Sequence, residues 1–119
     1  MAIKLKYEVS KELTENALQA IEIARNSGKI KKGANEVTKA IERGVAKIVG
    51  IAADVNPEEV VMHIPILCEE KNTPCVLVKN KMELGAAAGL QLGCSAVAVI
   101  ESGNAQDLIK EINDKLKKK

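Results

Sequence analysis

Four polar residues stand out by type and spacing. In the stretch "KIKKGANEVTKAIERG", residues 29 to 44, Asn35, Glu36, Lys39 and Arg43 fall on one arc of about 100° if the residues after Gly33 form a helix. Ala34, Val37 and Ile41 fall on the opposite side, so the segment has an apolar face for a core and a polar face for something else. Two kinds of chemistry fit that polar face. An ordinary amphipathic helix would place Glu36 and Lys39 as an i,i+3 ion pair contributing a few tenths of a kcal/mol. A reader of nucleic acid would use Asn35 and Lys39 as donors to guanine O6 and N7, and Lys32 with the helix-start amides to hold a phosphate. A carboxylate belongs in such a patch only if it accepts hydrogen bonds from bases, and the N1–H of a guanine outside Watson–Crick pairing is such a donor.

A second candidate is "LGAAAGLQLGCS", residues 84 to 95, where Gly85, Gly89 and Gly93 recur every fourth position. The run is too short and polar-flanked for a membrane dimerisation motif, and its glycines lack the dinucleotide-binding spacing. Close helix packing followed by a loop explains it. Alternatively, Leu90 and Leu92, bracketing Gln91, present an apolar lip to an unstacked base. Catalysis is poorly provided for. His63 is the sole histidine, and Cys68, five positions on, falls on the wrong helical face for a dyad. Asp54 follows an apolar run and reads equally as a strand-end catalytic residue or as the start of a turn. The sequence holds no metal-ligand cluster and no Gly-rich phosphate loop, so the expectation is a non-enzyme with no cofactor and no metal.

The elements that must position these residues follow from the apolar pattern. The chain has 119 residues, 46% hydrophobic and 29% charged, which suits one domain spanning residues 1–119, with residues 1–9 and 116–119 as frayed ends. Tyr7 is the single aromatic residue, so the core must come from Ile, Val, Leu and Ala, and binding by aromatic stacking platforms is excluded. The net charge is only +2, yet six basic residues lie between Lys29 and Lys47 against Glu36 and Glu42, a local excess suited to a polyanionic partner. The closing "KLKKK" reads as a solvated end. Cys68, Cys75 and Cys94 have no paired spacing and read as small buried hydrophobes in a reducing compartment. With no signal peptide and no apolar run of about 20 residues, the expected location is cytoplasmic, away from membranes.

The pattern predicts a helix from Ser10 as N-cap to Gly28, a short strand over 29–31 and a second helix over about 34–43. A central strand follows over 46–54, then a helix capped by Asn56 with Pro57 in its first turn, which Pro65 kinks or restarts. Strands over 75–79 and 96–101, a helix over 81–90 and a closing helix with Leu108, Ile109, Ile112 and Leu116 inward complete the chain. Alternating helices and apolar strands predict an α/β fold, a three-layer α/β/α sandwich around a mixed sheet of about four strands.

The stretch "KKGANEVTKAIERG" resembles the signature of the L-seven-Ae ribosomal protein family, and the likeness continues through "IAADVNPEEVVMHIPILCEEKNTPCVLVKNKMELGAAAG" over most of residues 10–115. It is most similar to archaeal members. The resemblance implies an α/β/α sandwich that binds kink-turn RNA, in which tandem sheared G·A pairs abut a bulge. It implies that Asn35, Glu36 and Lys39 read guanines whose N1–H, O6 and N7 are left open by sheared pairing, with Lys32, Gly33 and Arg43 beside them on the RNA. Val60, Lys81, Leu90, Gln91 and Leu92 match positions lining the flipped-out bulge nucleotide. Implied partners are structured RNAs (ribosomal RNA, box C/D and H/ACA guide RNAs, RNase P RNA) and ribonucleoprotein scaffold proteins, with the protein a monomer without RNA. Two departures bear on how the bulge nucleotide is held: Leu92-Gly93 stands where many relatives carry Arg-Pro, and Asn56 where the family often has an acidic residue. The competing readings are a ribosome-only paralogue, a ligand-binding or enzymatic α/β/α domain, and an adaptor that uses the helix stripe as a salt-bridged protein interface.

Overall fold

The first helix, α1 (Lys11–Ser27), turns Leu13, Ala17, Ala20, Ile21 and Ala24 inward, each no more than 4% exposed. Its spacing of three and four residues is the period that puts them on one stripe. In the computed structural model, residues 11–54 and 62–117 are described, the side chains of 11, 116 and 117 excepted. The expected caps Ser10 and Asn56, the Pro57 turn, and the frayed ends at 1–9 and 118–119 lie outside those residues, as does the side chain of Leu116. Residues 116 and 117 continue the last helix.

After α1 the chain forms β1 (Lys29–Lys32), α2 (Ala34–Glu42), β2 (Ile48–Ala52), α3 (Ile64–Glu70), β3 (Cys75–Val78), α4 (Lys81–Ala87) and β4 (Ala96–Glu101). A 3-10 turn (Gly103–Ala105) then leads into α5 (Gln106–Lys117). Two of these elements are shorter than their apolar runs. β2 covers only the middle of 46–54, because Ala53 and Asp54 already belong to a turn. α4 stops at Ala87 and not at residue 90: Gly89 takes a φ of 82°, and the amides of Gly89 and Leu90 return to the carbonyls of Ala86 and Gly85, which closes the helix. Helix α3, as described, starts at Ile64 with Pro65 in its first turn, where a missing amide donor costs nothing.

The four strands lie in the order β1-β4-β2-β3. β4 runs antiparallel to both of its neighbours, and β2 runs parallel to β3. Residues alternate between faces. Ile48, Ala52, Val76, Val78, Val97 and Val99 pack under α1, α4 and α5, while Val49, Ile51, Cys75, Ala96 and Ala98 pack under α2 and α3. All five residues of β2 are buried, as a strand covered on both faces requires. The result is the expected three-layer α/β/α sandwich around a mixed four-stranded sheet.

Candidate nucleic-acid interface

Strand directions decide where the candidate residues meet. Since β1 and β2 each run antiparallel to β4, and β3 runs parallel to β2, the C-terminal ends of β1, β2 and β3 and the N-terminal end of β4 share one edge of the sheet. Hydrogen bonds knit that edge: Gly33 N–H donates to Ala96 O (2.8 Å), Ala52 N–H to Ser95 O (2.9 Å) and Ala53 N–H to Val78 O (2.7 Å). At about 4.8 Å per strand, the outer strands stand roughly 14 Å apart, so α2 leaving β1 and α4 leaving β3 start within reach of one RNA duplex. Lys32, Gly33, Lys81 and the loop 88–95 are all at this edge.

Gly33 makes the turn from β1 into α2. Its backbone, φ 94° and ψ 149°, lies where a side chain is strained, although space around it is open. It is also the N-cap, and no side chain caps the helix there, so the first-turn amides face outward with the positive end of the dipole. Lys32, Asn35, Glu36, Lys39 and Arg43 are exposed, whereas Val37 and Ile41 are fully buried and Ala40 nearly so. The stripe therefore points away from the core as its period requires. Glu36 forms no ion pair with Lys39, and no other described residue bonds its side chain. The i,i+3 ion pair expected of an ordinary amphipathic helix is thus not formed. Arg43 occupies the C-cap, about 12 Å along the axis from Asn35 at 1.5 Å per residue, so it reaches a different part of any ligand.

The opposite side of the edge is built on α4. Its first amide, Lys81 N–H, donates to Asp54 Oδ1 at 2.8 Å, and its cap residue Asn80 accepts from Met82 N–H at 2.7 Å. The loop after α4 folds back along it. Cys94 N–H donates to Lys81 O (3.0 Å), the Lys81 stem lies against Gly93, and the Leu92 carbonyl sits so close to Gly85 that a Cβ there would overlap it. The glycine pattern is thus close packing and helix closure. In the loop it shapes, Leu92 is 74% exposed, Gln91 is exposed, and Leu90 is half-buried against the core. The lip seen in the sequence as Leu90 and Leu92 is carried at the surface by Leu92 and Gln91. Val60 lies outside the described residues.

Two contacts at this edge carried no sequence signal. One is the Asp54–Lys81 bond, which ties the turn after β2 to the first turn of a distant helix whose own cap is Asn80. The other joins His63, at the start of α3, to Thr38 on α2 at 2.7 Å. His63 is exposed and Cys68 is buried, so no His–Cys dyad forms. Cys68, Cys75 and Cys94 are all buried, as the sequence led one to expect. Among the described residues no group of three His, Cys, Asp or Glu side chains could hold a metal ion, and no helix is long and apolar enough to cross a membrane.

Comparison with known proteins gives the chain its relatives. The family model described as the Ribosomal protein L7Ae/L30e/S12e/Gadd45 family matches residues 15–109. The chain belongs to that family. A solved structure described as "Giardia lamblia 15.5kD RNA binding protein" is 32% identical and superposes with a TM-score of 0.86 over 92% of each chain. The span matched to the L7Ae/L30e/S12e/Gadd45 family holds every candidate residue from Lys32 to Leu92, while the lysine tail at 117–119 falls outside it.

Proposed function

We propose that this sheet edge binds RNA and recognises kink-turns, with α2 reading the sheared guanines and the loop after α4 closing on the bulge nucleotide. The observation that carries the reading is the exposed Asn35–Glu36–Lys39 stripe, in which Glu36 has no ion-pair or hydrogen-bond partner among the described residues. An unpartnered carboxylate in a basic, anion-attracting surface is a liability against phosphate. It becomes an asset against guanine N1–H, which sheared pairing leaves open. The likeness to a protein named as RNA-binding, and membership of the family, support the same reading.

On this reading the protein is a non-catalytic, cofactor-free cytoplasmic monomer that nucleates ribonucleoprotein assembly. Its RNAs are kink-turns of the large ribosomal subunit, of box C/D and H/ACA guide RNAs and of RNase P RNA, with scaffold proteins docking afterwards. The test compares wild type with Glu36→Ala on a kink-turn and on plain duplex RNA, circular dichroism confirming the fold. Loss of the acceptor leaves guanine donors unpaired and should cost about 1–3 kcal/mol on the kink-turn, with little change on the duplex. Equal or tighter kink-turn binding by the variant would show that this helix does not read guanine.

A further inference from the structure

We propose that Asp54 is a positioning residue for RNA binding: it fastens α4, and through α4 the exposed loop carrying Leu92, to the end of β2. The inference rests on the RNA reading above and assigns a role that the sequence left open between strand-end catalysis and a turn.

A carboxylate at the edge proposed to face RNA repels phosphate unless its charge is engaged. Asp54 is exposed, and its Oδ1 accepts the Lys81 amide at 2.8 Å. That amide belongs to the first turn of α4, where a carboxylate is stabilised by otherwise unsatisfied N–H groups and by the helix dipole. Helix α4 does not need Asp54 in order to be capped, because its own Asn80 already accepts from Met82 N–H at 2.7 Å. The Asp54 bond adds a tertiary tie instead, linking residues 27 positions apart.

The tie continues beyond Lys81. The Lys81 carbonyl accepts from Cys94 N–H at 3.0 Å, its stem packs on Gly93, and the Leu92 carbonyl rests on Gly85 of the same helix. Moving the start of α4 therefore moves Lys81 and the loop together. Asp54 acts on the ligand only through this path, by fixing where an ammonium group and an exposed leucine stand relative to the β2 end.

Charge and geometry make opposite demands, and substitution separates them. Asp54→Ala removes the acceptor and should weaken kink-turn binding about five- to tenfold, as loss of a charge-assisted hydrogen bond at an exposed site would. Asp54→Asn keeps an Oδ1 acceptor and removes the negative charge, so it should rescue binding to within about twofold of wild type or better. If Asp54 were only a surface charge, both variants would tighten binding alike. The loss in Asp54→Ala should also shrink on an RNA with a shortened bulge and in a Leu92→Ala background, since neighbours along one path are not additive.

A readout on the free protein is independent of RNA. Amide hydrogen exchange at Lys81 and Cys94 should speed up in Asp54→Ala and return toward wild type in Asp54→Asn, with β4 unchanged. Wild type that binds no kink-turn would overturn the parent reading, which these variants do not touch. Wild-type binding that Asp54→Ala matches or exceeds would overturn the Asp54 role alone, and so would unchanged exchange at Lys81 and Cys94.

Discussion

Thr38 on α2 and His63 at the head of α3 are hydrogen-bonded at 2.7 Å, and the direction of the bond is fixed by a third group. The single hydroxyl proton of Thr38 goes to the Ala34 carbonyl, also at 2.7 Å, so Thr38 can only accept from histidine. His63 therefore carries a proton on Nε2. The pair joins the second turn of the stripe helix to the element that follows the segment containing Val60.

Removing either partner should loosen that junction by about 0.5–1.5 kcal/mol, the net worth of a typical hydrogen bond. A double-mutant cycle of His63→Ala with Thr38→Val, read by chemical denaturation, should return a coupling energy of similar size. Nitrogen NMR of the ring should find Nε2 protonated. Additive losses in the cycle would mean the two side chains are neighbours without a bond.

Lys32 stands exposed at the end of β1, one residue before the uncapped start of α2. If it neutralises a phosphate there, Lys32→Ala should weaken binding to kink-turn and other RNAs alike and lower the slope of log K against log salt by about one unit. An unchanged slope would remove Lys32 from the contact set. Deleting residues 117–119 should cost less than about tenfold, because counterion release is lost only for charges that meet phosphate.

Leu90 and Leu92 should behave differently although both were candidates for the same lip. Leu92 is 74% exposed, so Leu92→Ala should leave stability nearly unchanged and cost roughly 1–2 kcal/mol of binding at about 25 cal/mol per Å². That loss should be larger on an intact kink-turn than on one with a shortened bulge. Leu90 packs partly on the core, so Leu90→Ala should lower the denaturation midpoint and affect both RNAs equally. Equal losses on both RNAs for Leu92→Ala would place Leu92 away from the bulge.

The cysteines should be silent in the folded protein. A hydrogen bond with Cys68, burial and the charge of Cys68 all push the Cys75 thiol up, away from the reactive thiolate. Iodoacetamide at neutral pH should leave Cys75 unmodified in the native state and label it after denaturation, as read by mass spectrometry. Rapid native labelling would mean that the layer formed by α3 and β3 opens readily.

Much of this protein was legible in the sequence because burial faces are written in local periods. Leu13 to Ala24 at helical spacing gave α1, and Val37 and Ile41 opposite Asn35, Glu36 and Lys39 gave the orientation of α2, since side-chain direction repeats every 3.6 residues wherever the helix sits. The alternation of apolar strands with helices gave the three layers. Boundaries were less legible, as at Gly89, where one residue in a left-handed conformation ends a helix that the apolar pattern would carry on. What tertiary structure alone decided were relations between distant residues. The insertion of β4, antiparallel, between β1 and β2 brings Gly33 to Ala96 and turns three strand ends and one strand start toward the same side. Asp54 meets Lys81 across 27 positions and His63 meets Thr38 across 25, by hydrogen bonds whose partners no period encodes. Leu90 and Leu92 are the same residue type two positions apart; the backbone of one loop, pressed on Gly85, buries part of the first and leaves the second in solvent.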